Sequence, residues 1–350
     1  PFIEAVESAF EMLEKQCSEG RRYGHRFCVQ GEMAEVVFIP PDELILNSPD
    51  ADLILVDEAA AIPTPMLETL LSRYSRIVFA STTHGYEGTG RGFAVRFTKV
   101  LDQQTPQWRS QHLKTPIRWS DNDPLEQFVF DALLLNATPN DPAGSGSMPL
   151  NASSALINTL TTRWISQREL AENEELLKQV FGLLVLAHYR TSPDDLRMLL
   201  DSPALSIAAH FNGINVVAIA LVVREGGLPP ALVEEIWQGR RRPRGHLIPQ
   251  VLSSYCGFKE ATKFVGDRVM RIAVHPSLHQ LGLGRSLMEA VQQQSLNDRV
   301  DYIGSSFGAT PELIDFWHAI EFSPLRLGLQ REAASGAHSI VMMKPLSGRA

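Results

Sequence analysis

The chain has 350 residues, of which 44% are hydrophobic and 21% are charged, and its formal net charge is −8. This composition is typical of a globular protein with room for two domains, and the acidic balance gives no overall indication of nucleic-acid binding. No stretch reaches the length of a membrane span, and the first residues, PFIEAVESAF, carry acids where a signal peptide needs a basic region, so we expect a cytoplasmic protein.

The first part of the chain predicts a parallel α/β sheet. Leu53–Val56 is a continuous apolar run, which is typical of a parallel strand covered on both faces, and it ends in Asp57 and Glu58. Carboxylates that follow such a strand lie where α/β sheets bind ligands. Three more elements are predicted here: a helix around Ile3–Leu13, an extended segment at Val36–Pro40 and a strand at Arg76–Thr83.

One interpretation of this edge is the Walker B strand of an ATPase. Asp57 would hold Mg²⁺ through water, and Glu58 would orient the water that attacks the γ-phosphate. Arg91, in the glycine-rich segment HGYEGTGRGF that we predict to be a loop, would stabilise charge on the transferred phosphate. The alternative is that Asp57 and Glu58 only end the strand and cap the next turn. No G-x-x-x-x-G-K-[ST] phosphate loop occurs, so we expect this chain to be a piece of a longer protein and not to hydrolyse ATP by itself.

A stretch rich in Pro, Gly, Ser and Asn at Asn136–Ser154 predicts a linker or a long loop. We therefore expect a first domain at 1–140, a linker at 141–155 and a second domain at 156–345. The second domain is predicted to contain helices at Glu174–Leu186 and from Pro193 to Leu200, and a β-hairpin over Leu205–Val223 that turns at Asn212-Gly213.

Four arginines are concentrated in the segment GRRRPRG, at Gly239–Gly245, with Trp237 beside it. Arginine suits RNA phosphates, and a tryptophan can stack on a splayed base. A solvated basic loop that balances Glu234 and Glu235 is an equally simple reading. The candidate RNA contacts are Arg240, Arg241, Arg242 and Arg244.

The segment VMRIAVHPSLHQLGLGRSLM predicts a strand, a glycine loop and the start of a helix. Arg271–Val274 is a short strand run that His275-Pro276 ends, and Gly282 and Gly284 precede an apolar-periodic helix. Glycines there let backbone N–H groups approach an anion, and the helix dipole adds to the attraction. The third glycine of a dinucleotide fingerprint is missing. We therefore expect the loop to bind the pyrophosphate of a ligand that is not a dinucleotide.

This loop resembles the acetyl-CoA loop of the GNAT acetyltransferases, with His279 where that pattern has Gln or Arg. A helicase-like half followed by a GNAT half also resembles the bacterial tRNA(Met) cytidine acetyltransferases. The segments that carry the resemblance cover most of the chain from Leu53 to Gly336: LILVDEAAAIPTPML, GYEGTGRGF, AHYRTSPDDLRMLLD, RRRPRGHLIPQ, RIAVHP and REAASG.

The resemblance implies a partial RecA-like P-loop domain with a parallel sheet, followed by a GNAT-fold α/β acetyltransferase domain. It implies an enzyme that forms N4-acetylcytidine at the wobble position of elongator tRNA(Met), with acetyl-CoA as donor and with hydrolysis of ATP or GTP. A region with the phosphate loop and a carboxyl-terminal tail of that family would lie outside this chain. Arg91 would contact ATP. The implied acetyl-CoA contacts are Ile272, Ala273 and Val274 along the pantetheine arm, His279, Gln280, Leu281, Gly282, Leu283, Gly284 and Arg285 at the pyrophosphate, and Glu312.

The residues that would activate the acceptor have no single sequence signature. Attack by cytosine N4 on a thioester needs proton removal and donors for the oxyanion. Backbone N–H groups at the end of the strand Ile272–Val274 are the expected oxyanion donors. The candidate bases are His246, Glu235 and His275, each of which has a structural hydrogen bond as its alternative role. The Arg expected a turn beyond Glu312 in this family is Ala319 here.

Two other functions stay open. A GNAT enzyme that acts on a protein or a small amine would have no use for RNA or for Asp57 and Glu58. An ATP-driven RNA translocase that senses acetyl-CoA would bind it without transferring the acetyl group. The oligomeric state is not predictable from these patterns.

Overall fold

The computed structural model describes residues 21–23, 26–30, 35–82, 90–113, 115, 120, 122–140, 157–187, 193–331 and 337–348. The chain divides into two compact units, Pro1–Ser81 and Thr82–Ala350. The helix predicted around Ile3–Leu13 and the linker predicted at 141–155 lie outside the described residues. Within those residues no helix is long and apolar enough to cross a membrane.

The first unit contains a three-stranded antiparallel sheet in the order β1-β2-β3 and a parallel pair of strands, β4 and β5. The predicted extended segment and both predicted strands are confirmed. The elements are β1 Arg21–Tyr23, β2 Arg26–Gln30, β3 Glu35–Phe38, α1 Pro41–Asn47, β4 Ile54–Val56, α2 Thr64–Arg73 and β5 Ile77–Phe79.

The prediction that the strand at Leu53–Val56 is covered on both faces is wrong for this structure. Ile54 and Val56 are buried, whereas Leu55 between them is 67% exposed. Successive side chains of a strand point to opposite faces, so only one face of β4 is covered here. Val78 on the neighbouring strand is exposed as well.

The second unit is built on a seven-stranded sheet in the order β11-β12-β10-β9-β8-β7-β6. All neighbours are antiparallel except β9 and β10, which are parallel and are joined through a helix. The strands are β6 Thr161–Ile165, β7 Leu205–Asn212, β8 Asn215–Gly226, β9 Val265–Val274, β10 Tyr302–Gly308, β11 Ser323–Arg331 and β12 His338–Pro345.

The helices of the second unit confirm the two predicted at 174–186 and 193–200, and β7 and β8 confirm the hairpin. Asn212 pairs with Asn215, so the turn is Gly213-Ile214, and Gly213 has φ +61°. The helices are α3 Gly90–Gln104, α4 Pro124–Ala132, α5 Gln167–Glu172, α6 Glu174–Ala187, α7 Pro193–Asp201, α8 Pro230–Trp237, α9 Leu247–Ser254, α10 Leu283–Asn297 and α11 Pro311–Ala319.

Apolar clusters cover the two faces of this sheet. On the face that we call the α6 face, Val180, Phe181 and Leu184 pack with side chains of β7 and β8. On the opposite face, the α10 face, Leu287 and Trp317 pack with side chains of β8, β9 and β10. The buried sheet is therefore a rigid platform between two helical layers.

The start of the predicted linker packs partly against the second unit, although Asn136 and Thr138 are exposed. Leu134 and Ala137 are buried in the α6-face cluster. A Cβ on Gly182 of α6 would lie 2.6 Å from the carbonyl carbon of Thr138, so this helix has a glycine where the chain crosses it closely. Asn140 also donates a hydrogen bond to Asn215 on β8, at 3.2 Å. Residues 134–140 therefore belong structurally to the second unit, while the domain limits predicted at 140 and 156 stay a prediction.

Candidate functional site

The central feature of the second unit is a split between two parallel strands. β9 and β10 pair only from Gly266 opposite Tyr302 to Val269 opposite Ser305. Beyond that point β9 continues to Val274, and β10 continues to Gly308 in contact with β12 instead. The edge of β9 that faces β10 is therefore open over its last residues.

The backbone of β9 presents polar groups to this open edge. The N–H of His275 donates to Val217 on β8 at 2.9 Å, so at that position the backbone points toward β8. Backbone direction alternates along a strand. The N–H groups of Ile272 and Val274 therefore point toward the open edge, which is where the sequence predicts pairing with a pantetheine arm and donation to an oxyanion.

After β9 the chain makes the predicted turn and enters a helix. Pro276–Leu278 form one turn of 3₁₀ helix, and α10 begins at Leu283. Gly282 is its N-cap residue, with φ +83°, and Gln280 has φ +62° although it is not glycine. Backbone strain of this kind is often found at ligand-binding loops.

The loop leaves a run of backbone donors unused. In the part of the chain that the structure describes, no acceptor is found for the N–H groups of residues 280–285. Three apolar side chains, Leu278, Leu281 and Leu283, are buried against Val217 and hold the loop from below. Six consecutive N–H groups at the positive end of a helix form an anion site that fits a pyrophosphate.

His279 connects this loop to the open strand. Its Nε2 lies 2.9 Å from the carbonyl oxygen of Val274, and because a carbonyl oxygen only accepts, Nε2 donates. The side chain that we predicted as a ligand contact is thus used to fix the loop against the end of β9. Its position still borders the unused donors.

Gly284 lies where little space remains. A Cβ there would be 3.3 Å from Cε2 of Phe316 and 3.6 Å from Cγ2 of Val274. Arg285 is exposed and its Nε lies 3.3 Å from Oε1 of Glu289. The predicted contact Glu312 is exposed in the first turn of α11, whose N-cap Thr310 accepts from the N–H of Leu313 at 3.4 Å.

Two of the three predicted bases lie far from the split. Gly226, at the end of β8, pairs with Val265 at the start of β9, and its N–H donates to Nδ1 of His246 at 2.9 Å. At about 3.3 Å per residue, roughly 23 Å of strand separates Val265 from Ile272. His246 therefore lies far from the open edge, and its role as the base stays a prediction.

Glu235, the second predicted base, also lies far from the open edge, and its pKa makes it a weak base. It lies on α8, which follows β8 at that same distant end. Its Oε1 accepts from Arg240 Nη2 at 2.6 Å, and this hydrogen bond lowers the pKa of Glu235. A carboxylate with a lowered pKa is a weaker base.

His275 is the candidate that the fold does place beside the split, because it follows Val274 directly. Its Nδ1 lies 3.3 Å from the backbone nitrogen of Ser277, which can only donate, and 2.8 Å from the Ser277 hydroxyl. Nδ1 thus accepts, and the proton of the neutral ring is on Nε2.

Two arginine–carboxylate pairs on β9 were not predicted. On the α6 face, Arg271 pairs through Nη2 with Asp195 of α7, and each side chain is only 17% exposed. Nearer the start of the strand, Arg268 pairs with Glu225, which is 1% exposed and also accepts from the N–H of Ile248 at 2.9 Å. A charged residue inside an apolar strand run is the sequence signal that indicates such pairs.

The arginine loop lies at the end of the sheet where β9 begins. Arg240 is paired with Glu235, and Nη2 of Arg242 lies 3.2 Å from the hydroxyl of Tyr255. The guanidinium groups of Arg241 and Arg244 are exposed, without a hydrogen-bond partner among the described residues. Sequence reasoning also missed Arg326, whose guanidinium carbon lies 4.0 Å above the Tyr255 ring.

In the first unit, Asp57 and Glu58 follow β4 directly, as predicted. The N–H of Glu58 donates to Oδ1 of Asp57 at 3.0 Å, and Glu58 has φ +48°. The neighbouring strand continues alongside, since Ala80 donates to Val56 at 2.8 Å. Both carboxylates are exposed at the carboxyl end of this parallel pair.

Arg91 is not in a loop, which corrects that prediction: it is in the first turn of α3. Its side chain lies outside what the structure describes. Among the described residues, no group of three or more His, Cys, Asp and Glu side chains is placed to hold a metal ion.

Two family models match the chain. The model described as "RNA cytidine acetyltransferase NAT10/TcmA, helicase domain" matches residues 1–136. The model described as "GNAT acetyltransferase 2" matches residues 179–298 and 286–347. The order of the two matches confirms the predicted fold class, a helicase-type α/β domain followed by a GNAT domain.

Curated relatives match nearly the whole chain. The tRNA(Met) cytidine acetyltransferase of Nitrosococcus halophilus is 47% identical over 348 residues, which are 99% of this chain and 45% of the relative. That of Vibrio cholerae is 40% identical over 98% of this chain and 47% of the relative. The enzyme of Haloarcula marismortui is 42% identical over 89% and 39%. The chain thus spans about half the length of the curated relatives that it matches.

Solved structures with a similar arrangement include the Escherichia coli ribosomal-protein-S18-alanine N-acetyltransferase, with a TM-score of 0.37, 13% identity, and 54% of this chain and 94% of that chain covered. Another is Arabidopsis thaliana NAA60 in complex with acetyl-CoA, with a TM-score of 0.36, 12% identity, and 54% and 100% covered. At these TM-scores the fold assignment is based on the sheet order and the family models instead.

Proposed function

The chain belongs to the tRNA(Met) cytidine acetyltransferase family, and on that premise we propose that it binds acetyl-CoA at residues 279–285 and along the open edge of β9, and transfers the acetyl group to N4 of the wobble cytosine of elongator tRNA(Met). The observation that carries the proposal is the run of six unused N–H groups at the start of α10. They fit the pyrophosphate of the donor, and the open edge beyond Val269 fits an extended arm.

The chemistry of the transfer places demands on this edge. The N4 nitrogen forms an amide bond to the acetyl carbon, the carbon–sulfur bond breaks, N4 loses a proton and the CoA thiolate gains one. The N–H groups of Ile272 and Val274 are in position to stabilise the oxyanion that forms on the way. We keep His275 as the base candidate because it directly follows Val274 at this edge; in this structure its Nδ1 is engaged by Ser277.

We propose a role in nucleotide chemistry for Asp57 and Glu58 of the first unit and, separately, a nucleotide contact for Arg91 of the second unit. Asp57 would hold Mg²⁺ through water and Glu58 would orient the attacking water, since carboxylate oxygens at the end of a parallel strand suit a hydrated magnesium ion. Arg91 would contact ATP or GTP. Because the sequence contains no phosphate loop, we expect nucleotide hydrolysis only from the whole protein.

For RNA, we propose that the exposed guanidinium groups of Arg241 and Arg244 contact tRNA phosphates, with Arg240 and Arg242 beside them. Arg240 and Arg242 already have side-chain partners, Glu235 and Tyr255. Arg241 and Arg244 are therefore the stronger contacts in this loop.

The test is calorimetric titration of acetyl-CoA into the chain and into a Gly284→Glu variant. A carboxylate beside the unused N–H groups repels the pyrophosphate, so we expect a loss of affinity of roughly 100-fold or more. Gly348→Glu is the matched control. It adds the same charge at a position with open space around it, away from the loop. Thermal unfolding of each variant separates lost binding from lost folding.

Mass spectrometry of digested tRNA(Met) after incubation with acetyl-CoA tests the acceptor. N4-acetylcytidine supports the proposal. Acetyl-CoA binding without any acetylated RNA favours a protein or small amine as acceptor, or an acetyl-CoA sensor. No binding by a folded chain contradicts the proposal as a whole.

A further inference from the structure

The donor and the acceptor must approach the open edge of β9 from different sides. The loop that follows β9 leads into α10, so the pyrophosphate site lies on the α10 face. Ile272 and Val274 direct their side chains to that same face, where they pack against the cluster of α10 and α11. A nucleophile that attacks a thioester held there must come from the α6 face.

Arg271 is the polar side chain of β9 that lies on the α6 face beside the thioester position. It precedes Ile272 in the chain, and a β-bulge at Met270 interrupts the pairing with β8 at this point. Helix α7 lies against the Arg271 side chain, since Asp195 of this helix accepts a hydrogen bond from Nη2. The side chain is therefore held at the border between the open edge and the α6 face.

The ion pair with Asp195 uses only one of the two terminal nitrogens of Arg271, Nη2. Its Nη1 is buried and has no hydrogen-bond partner among the residues that the structure describes. A buried donor without a partner costs stability, so such an atom indicates an acceptor that arrives from outside, either a ligand or water. Arg268, three residues earlier on the same strand and paired with Glu225, makes the contrast, because among the described residues it has no buried nitrogen without a partner.

We propose that Arg271, oriented by Asp195, binds the Watson–Crick edge of the acceptor cytosine and so selects cytosine over uracil; this inference rests on the proposed function. Cytosine has two acceptors, O2 and N3, beside the N4 amino group. A guanidinium that donates to them leaves N4 free to face the thioester. Uracil has an N–H at N3, which opposes a guanidinium donor, and it has no amino group.

The test measures RNA binding by the chain saturated with CoA, using fluorescence anisotropy. Two RNA hairpins are compared that are identical except for one unpaired cytosine or uracil. We expect the chain to prefer cytosine by about tenfold or more, and Arg271→Lys and Asp195→Asn to lose that preference. Asp194→Asn is the matched control, since Asp194 is the exposed neighbour of Asp195 on α7 and should keep it.

Each outcome decides the proposal. If the chain shows no preference, or Arg271→Lys keeps it, Nη1 binds water and the proposal is overturned. If Arg271→Lys also loses acetyl-CoA binding or thermal stability, the pair has a structural role, which overturns it too. A preference that is lost in Arg271→Lys, in a chain that forms no acetylcytidine, supports the base contact and contradicts the proposed function.

Discussion

The two ends of β9 have opposite properties, although they are parts of one strand. At its start, β9 is paired with β8 and with β10, and its charged side chains Asp267 and Arg268 each have an ion-pair partner. At its end one edge is open, and the loop that follows has six backbone donors for which the described part of the chain supplies no acceptor. Unused backbone donors cost stability, so a run of six after this end of β9 indicates that this end binds a ligand, whereas the ion pairs at the start stabilise the strand.

The carboxylates at the start of β9 accept hydrogen bonds from several neighbouring elements. Asp267 accepts from Nε of Arg224 at 2.6 Å and from the hydroxyl of Ser295 at 2.7 Å. Asp301 accepts from the N–H of Val265 at 3.0 Å. A Cβ on Gly266 would collide with the buried ring of Tyr302, so the strands are in close contact here. Burial raises the pKa of Tyr302.

The largest expected effect is on stability at the start of the strand. Glu225→Ala leaves Arg268 buried without its carboxylate and leaves the N–H of Ile248 without an acceptor. We expect the free energy of unfolding in urea to fall by about 3–5 kcal/mol. The exposed Glu234→Ala is the control and should change it far less, because the pair of Glu234 and Lys259 is open to solvent.

If the two ends of β9 have separate roles, the folded Glu225→Ala variant should bind acetyl-CoA as tightly as the unaltered chain. A large loss of affinity at low temperature, where the variant is folded, would show that the two ends are not separate in function.

The next effect is on binding at the other end. His279→Ala removes the hydrogen bond that fixes the loop to the carbonyl of Val274. One such bond contributes about 1–1.5 kcal/mol, so we expect acetyl-CoA to bind roughly 5- to 13-fold more weakly in calorimetry. His279→Gln keeps an N–H donor and should retain most of the affinity. Equal affinities for the Ala variant and the unaltered chain would contradict this role.

A pH effect is expected in the row of residues that ends at Val274. His210 pairs across to Ala218, which pairs with Val274. Burial lowers the pKa of His210 below its ordinary value of 6.5. The unfolded chain therefore binds a proton more readily, and stability should fall as the pH falls through 6.5, by up to about 1.4 kcal/mol per pH unit for this one group.

The measurement is urea unfolding between pH 7.5 and pH 5 for the chain and for His210→Leu. The variant should show a shallower dependence on pH, because the titrating group is gone. If the stability of both chains depends on pH in the same way, His210 is not the group whose protonation lowers the stability of the folded chain.

The smallest effect concerns the exposed pair of Arg285 and Glu289 on α10. Exposed i,i+4 pairs contribute little, so Glu289→Gln should change thermal stability by less than about 0.5 kcal/mol. Removal of this carboxylate frees Arg285 near the proposed pyrophosphate site, so acetyl-CoA should bind somewhat more tightly at low salt. A large loss of stability would place this surface among the stabilising regions.

The strands, the hairpin and the loop could be predicted because their signals are local. Apolar runs, Asn212-Gly213 and the glycines before Leu287 specify backbone conformation within a few residues. The loop at 279–285 was located for the same reason. Arg91 was misplaced because the glycines around it indicate a loop, whereas helix α3 begins at Gly90.

The sequence by itself determined the order of the two domains, the conformation of the loop after β9 and the family, since motifs and periodicity are local properties of the chain. Only the tertiary structure decided which side chains meet. It separated His246 from the open edge, packed residues 134–140 onto α6, and brought Asp195 to Arg271. These contacts join residues that are distant in the chain, and their pairing depends on the order of strands in the sheet, which no local signal encodes.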